Sequence, residues 1–189
     1  MTEIRIGQEP PLAGDEAAAL LGSLDRMRGY LLWKCSGLDA AGIRATLGPS
    51  SLTLGGLLKH AAAGEAIPLA WKLHGRRPFP PFDQADWDDA DWHLRVEDDD
   101  TPESLERLFV ESVAHGQALL GEAIAAGGLD FTADVSDEAG NHPDARRIVH
   151  DLIEEYGRHV GHPDLIRESV DGLVGEDPAP GTFPGIYKV

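Results

Sequence analysis

The stretch LIEEYGRHVGHPDLIRE, Leu152 to Glu168, decides how the rest of the chain is read. Together with Ile148 upstream, its apolar residues recur every three or four positions, the period of a helix and not of a strand. Ile148, Leu152, Glu155, His159, His162 and Ile166 fall on one stripe at about 100° per residue. The apolar residues at both ends of the stripe predict that it faces an interior. Glu155 and His159 are then predicted to point inward, and His162 nearly so. Glu154, Arg158 and His150 fall on other faces and are predicted to be solvated. The helix should begin near Pro143 or Asp144.

Three more helices can be read outward from this one. Asp15 can cap a first helix, in which Leu20, Leu24, Met27 and Leu31 share a face and which should end near Gly37. Ser51 or Thr53 can cap a second, from about Leu54 to Leu73, with Leu57, His60, Gly64, Ile67 and Trp71 on one stripe. Pro68 sits inside it and predicts a kink or a split. The run DDDTPESLERLF announces a third: Thr101 caps, Pro102 takes the first helical position, and the acids oppose the positive end of the helix dipole. Its stripe of Leu105, Leu108, Ser112 and Leu119 carries it to about Ala126. No strand pair and no repeat is predicted. The expected fold class is all-α: a four-helix bundle with a long crossover loop between helices 2 and 3 and an irregular C-terminal tail. The expected organisation is one domain over residues 1–189, with a core at about 15–172 and a tail at 173–189.

The crossover, GRRPFPPFDQADWDDADWHLRVEDDD, loses helical pattern. Its Phe79, Phe82, Trp87 and Trp92 need somewhere to pack, so it reads as an ordered loop that covers a site or a partner surface. The tail can dock through Phe183 and Tyr187. Either surface could also support pairing of two copies.

Composition narrows the function. The chain has 189 residues with 33 acids against 16 Lys plus Arg, a formal charge of -17. Nucleic acid and anionic membranes bind through Lys and Arg that displace counterions, so neither is expected as a partner. No segment is apolar over the roughly 18 residues a membrane span needs, and the start lacks a signal-peptide pattern. A cytoplasmic protein is expected. Cys35 is the lone cysteine and lies in an apolar helical run, so no intrachain disulfide can form and an inert buried thiol is expected.

The polar groups on the two apolar stripes are the candidate site. An inward carboxylate needs a cation, strong hydrogen bonds or a proton. Glu155 and His159, four residues apart, can both reach one point beside their helix. His60 on the second helix offers a third group. Two imidazoles and a carboxylate in one bundle suit a divalent metal. The alternative is that the histidines are hydrogen-bonded core residues and that Glu155 and His159 simply pair. His115 is a rival ligand from the third helix. His74, His93 and His142 fall in or near loops and are predicted to be exposed.

Four stretches together resemble a known family: LDRMRGYLLWKCSGL, GPSSLTLGGLLKHAA, WHLRVEDDDTPESL and LIEEYGRHVGHPDLIRE. They are similar to the DinB-like proteins, in the branch of mycothiol-dependent maleylpyruvate isomerase and mycothiol S-transferases, from about Leu20 to Asp171. The resemblance implies a bundle of DinB type with a divalent metal near one end, held here by His60, Glu155 and His159. It places His162 beside the metal, to orient water or substrate or to act as a base. Pro163 and the stretch GEAIPLAWKL depart from the family pattern, so the substrate does not carry over.

Three protein ligands leave a coordination position open, as at catalytic sites. Zinc suits the donor set best. The expected function is a metal-dependent thiol transferase: a small thiol, mycothiol or similar, is held as thiolate and attacks a small-molecule electrophile. The alternatives are a metal-dependent hydrolase with His162 as base, and a non-catalytic metal-stabilised binding protein.

Overall fold

Every long helix begins at a side-chain cap. Asp15, Thr53, Thr101 and Asp144 each accept a hydrogen bond from a backbone amide of the first turn that follows. At Thr101 the arrangement is reciprocal: Ser104 accepts from the Thr101 amide while Thr101 accepts from that of Ser104. The structure, a computed structural model, describes residues 3–5, 8–84, 86, 88–89, 91–179 and 186–188. Its elements in chain order are β1 (Glu3–Arg5), α1 (Glu16–Cys35), α2 (Leu54–Ile67), α3 (Pro102–Gly127), α4 (Ala145–Asp171) and β2 (Ile186–Lys188). The four α-helices pack as a bundle in which α1 lies chiefly against α4 and α2 against α3. No helix among the described residues is long and apolar enough to cross a membrane.

The core is one cluster to which all four helices contribute. Leu24, Leu31 and Leu32 come from α1, Leu54, Leu58 and Ala62 from α2, Phe109 and Val113 from α3, and Ile148, Val149 and Leu152 from α4. Arg167 of α4 ties the end of α1, donating to the carbonyls of Lys34 and Ser36 at 3.1 and 2.6 Å.

Two expectations need correction. Residues 3–5 and 186–188 pair as an antiparallel ribbon, with Ile4 opposite Tyr187, where no strand pair was predicted. Three-residue strands are too short for a periodic signal, and these two lie at opposite ends of the chain. The predicted docking through Phe183 lies outside the described residues. The second correction concerns α2. Leu57 of the predicted stripe is fully buried, but the face that meets the core runs through Leu54, Leu58, Ala62, Glu65 and Leu69, while His60 and Ile67 are partly buried and Trp71 is 52 % exposed. This helix carries apolar residues on both faces, so periodicity alone cannot say which face meets the core. Pro68 opens a single π turn, Pro68–Lys72, without ending the helical path. Pro163 lies inside α4, whose helix runs on to Asp171.

The crossover is an ordered strap, as predicted. Phe82 is buried, with Phe79 and Trp92 against it at ring separations of 5.5 and 6.1 Å. Trp87 lies outside the described residues. The strap is seated on the first turns of α2. A Cβ at Gly56 would stand 2.1 Å from the Leu94 carbonyl oxygen, so only glycine lets the backbones approach this closely. The buried Lys59 ammonium donates to the Arg95 carbonyl and to Asp100, each at 3.1 Å, and Arg44 donates to the carbonyls of Glu97 and Asp100.

Candidate metal centre

Beyond Lys59, α2 presents His60, Gly64 and Pro68 to a space between α2, α4 and the strap. His60 and His159 meet there across the gap, their ring centroids 4.6 Å apart and their planes at 65°. Glu155 stands one turn before His159, its Oε2 3.3 Å from the imidazole Nε2. One ligand atom from each of His60, Glu155 and His159 lies within 4.8 Å of the others. The three residues read from the stripes are therefore brought together.

They are not buried alike. The His159 side chain is 16 % exposed and that of Glu155 is 61 % exposed, so the expectation that Glu155 points into the core is corrected. Three residues on from Leu152, Glu155 sits about 60° round the helix from it and so reaches the rim of the interior. Tyr156, about 40° to the other side, takes the buried place. His162 is farther round again. It is half-buried, its ring 5.4 Å from that of His159, and it is not among the three clustered donors.

Electrostatics favour neutral rings. Burial, reinforced by His159, His93 and Arg158, pulls the His60 imidazole down to about 4. Burial also holds His159 below its ordinary value, against the pull of Glu155. The Nδ1 atoms of His60, His159 and His162 are shielded from solvent and have no hydrogen-bond partner among the described residues. Unprotonated imidazoles with uncommitted nitrogens beside a carboxylate are what a zinc-type cation requires. The residues present fit such a group.

Of the remaining histidines, His142 and His150 are exposed as predicted, while His93 and His74 are not. His93, predicted to be exposed, is partly buried: its ring meets His60 edge-on at 4.8 Å, and its Nδ1 is also shielded and unpartnered. Only the seating of the strap on α2 brings it there. His115, the rival ligand, is exposed; it stacks on Phe79 at 4.4 Å and its Nδ1 meets the Glu111 carbonyl, away from the cluster. His74 is partly buried, with Nε2 on the Leu119 carbonyl, and His142 is exposed, with Nδ1 on the Ala133 carbonyl.

A buried network behind the site was missed altogether. Glu65, with no exposed surface, accepts from Arg28 Nε and Nη2, both at 2.7 Å, and from the Tyr156 hydroxyl at 2.8 Å. Gly116 of α3 leaves room for it, since a Cβ there would stand 2.6 Å from Glu65 Oε2. The signal was in the sequence, as a carboxylate in step with Leu58, Ala62 and Leu69. The network joins α1, α2 and α4 one residue past Glu155 and five past His60.

Two cavities meet at His60, Gly64 and Pro68. The larger, about 360 Å³, lies towards α4 and is bordered by His159, Glu155 and Tyr156. The smaller, about 210 Å³, lies towards the strap, with Trp92 and His93.

A search of curated proteins returns no match. A family model described as mycothiol-S-transferase matches residues 19–172, a span that holds all four helices apart from the first residues of α1, together with the strap and every residue of the histidine–carboxylate cluster. The chain therefore belongs to the mycothiol-S-transferase family.

Proposed function

We propose that this protein is a metal-dependent S-transferase that joins a small thiol, mycothiol or a close analogue, to a small-molecule electrophile. The observation that carries the reading is the convergence of His60, Glu155 and His159 on the wall of a cavity, in a chain of this family. Two imidazoles and a carboxylate leave coordination room and suit zinc best. A divalent cation bound there supplies positive charge that lowers the pKa of a thiol and favours its thiolate near neutral pH.

The protein's own residues do the rest. His60 and His159, with neutral rings, would hold the cation from two helices, and Glu155 would offset part of its charge from the rim. The buried Arg28–Glu65–Tyr156 network keeps α2 and α4 in register, so that the donors need no rearrangement to converge. His162, next to His159, takes up the thiol proton. The thiolate sulfur then forms a bond to the electrophilic carbon, and the leaving group departs with the electron pair of its broken bond.

The test is elemental analysis of the purified protein beside His60→Ala, followed by thiol-dependent turnover of 1-chloro-2,4-dinitrobenzene. The expected result is about one divalent metal per chain, lost in the variant, with turnover that needs both metal and thiol. Equal metal content in the two proteins would remove His60 from the site. Metal-loaded protein with no thiol-dependent turnover would overturn the transferase reading.

A further inference from the structure

The larger cavity differs in character from its rim. Leu31, Ala61, Pro68, Ile148 and Leu152 form its apolar wall. Tyr156 borders this wall, and its hydroxyl is already committed, donating to Glu65 at 2.8 Å. Glu65 is in turn saturated by Arg28. The backbone amides of this wall belong to α1, α2 and α4 and are committed within those helices. The charged side chains of the lining are three carboxylates, Asp151, Glu154 and Glu155, against one ammonium, Lys72. Asp151 is already paired with Arg147 at 2.6 Å.

A carboxylate or sulfonate laid along the apolar wall, away from the metal-ligand end and Lys72, would lose its hydration with no donor there to replace it, in a cavity whose lining holds three carboxylates, which is costly. An uncharged apolar body loses nothing and gains from leaving water. At about 360 Å³ the space is more than double the roughly 150 Å³ apolar cavity that accepts benzene. It has room for a bicyclic aromatic group or a medium alkyl chain.

Resting on the transferase reading above, we infer that this cavity is the electrophile subsite and that it selects uncharged, apolar aryl or alkyl electrophiles over anionic ones. The reacting carbon lies at the His60–His159 end and the apolar body lies along Leu31, Ile148 and Leu152. Within a homologous alkyl series, each added methylene should raise kcat/KM about fourfold until the cavity is full.

The test uses a matched pair of dyes, so that it does not depend on turnover. N-phenyl-1-naphthylamine is neutral; 8-anilinonaphthalene-1-sulfonate is nearly the same body with an anion attached. Fluorescence titration of the metal-loaded protein should show the neutral dye bound at least tenfold more tightly. Gly64→Leu projects a side chain into the junction from a position where a Cβ meets nothing within 4 Å. It should weaken the neutral dye at least tenfold while metal content stays unchanged, and Ala61→Phe is the second such variant. Equal or tighter binding of the sulfonate would overturn the inference, as would neutral-dye binding that survives both substitutions. Dye selectivity as expected without any thiol-dependent turnover would leave the subsite standing and sink the transferase reading. Turnover without dye selectivity would do the reverse.

Discussion

Arg28 and Glu65 give the sharpest prediction about what holds the site in place. Arg28 is 2 % exposed and Glu65 has no exposed surface. They share two hydrogen bonds of 2.7 Å. Replacing Glu65 with Leu removes both acceptors and leaves a guanidinium whose one remaining carboxylate partner among the described residues is Asp25, itself 52 % exposed. Breaking one side of a buried pair costs about 3–5 kcal/mol. In a chain of this size that lowers the melting temperature by about 6–20 °C. Arg28→Met should cost a similar amount, because the buried carboxylate then keeps only the Tyr156 hydroxyl. The double variant should be far milder, since neither charge of this buried pair remains without its partner. Its residual cost is the unpartnered Tyr156 hydroxyl, about 1–3 kcal/mol, and adding Tyr156→Phe should recover most of that. The assay is urea unfolding of the metal-free protein at pH 7, followed by far-ultraviolet circular dichroism, over the full double-mutant cycle. The expected coupling between the two sites is at least about 2 kcal/mol. Single variants costing less than about 1 kcal/mol each, or strictly additive costs, would refute the reasoning.

Three other outcomes are expected. His60 titrates near 6.5 in an unfolded chain but only at about 4 when folded. The unfolded state therefore binds the proton first as pH falls, and stability of the metal-free protein is intact above 6.5 and declines towards 4. The ceiling is about 3.4 kcal/mol, and partial solvation of the ring brings it to about 2 kcal/mol; urea midpoints of the wild type and His60→Gln across that range should diverge accordingly. Gly56→Ala would press a Cβ to within 2.1 Å of the Leu94 carbonyl oxygen, so the strap must lift, at a cost of about 1–3 kcal/mol. The His93 ring should then leave His60, which imidazole chemical shifts would report, and unchanged shifts would count against the seating described here. Cys35 is 1 % exposed and burial pushes its thiol up to about 12, so the native protein should resist a disulfide reagent at pH 8 and react only as it unfolds.

What the sequence determined by itself is local or periodic. Caps at Asp15, Thr53, Thr101 and Asp144 are written in single residues, because each satisfies amides only a few positions away. The amphipathic stripes gave four helices, and i,i+4 spacing joined Glu155 to His159, because a helix makes those neighbours wherever it packs. Tertiary structure decided the rest. Which face of α2 meets the core could not be read from a helix with apolar residues on both faces: beyond the buried Leu57, the stripe through His60, Gly64 and Ile67 lines a cavity. Glu155 moved from the interior to the rim because an offset of about 60° separates buried from half-solvated only once the neighbouring helices are in place. His93 joined the cluster because the strap docks on Gly56 and Lys59, a contact between segments more than 30 residues apart. Glu65, Arg28 and Tyr156 found one another from three helices. A buried charge states its need for a partner locally, but only the packing of the whole chain supplies one.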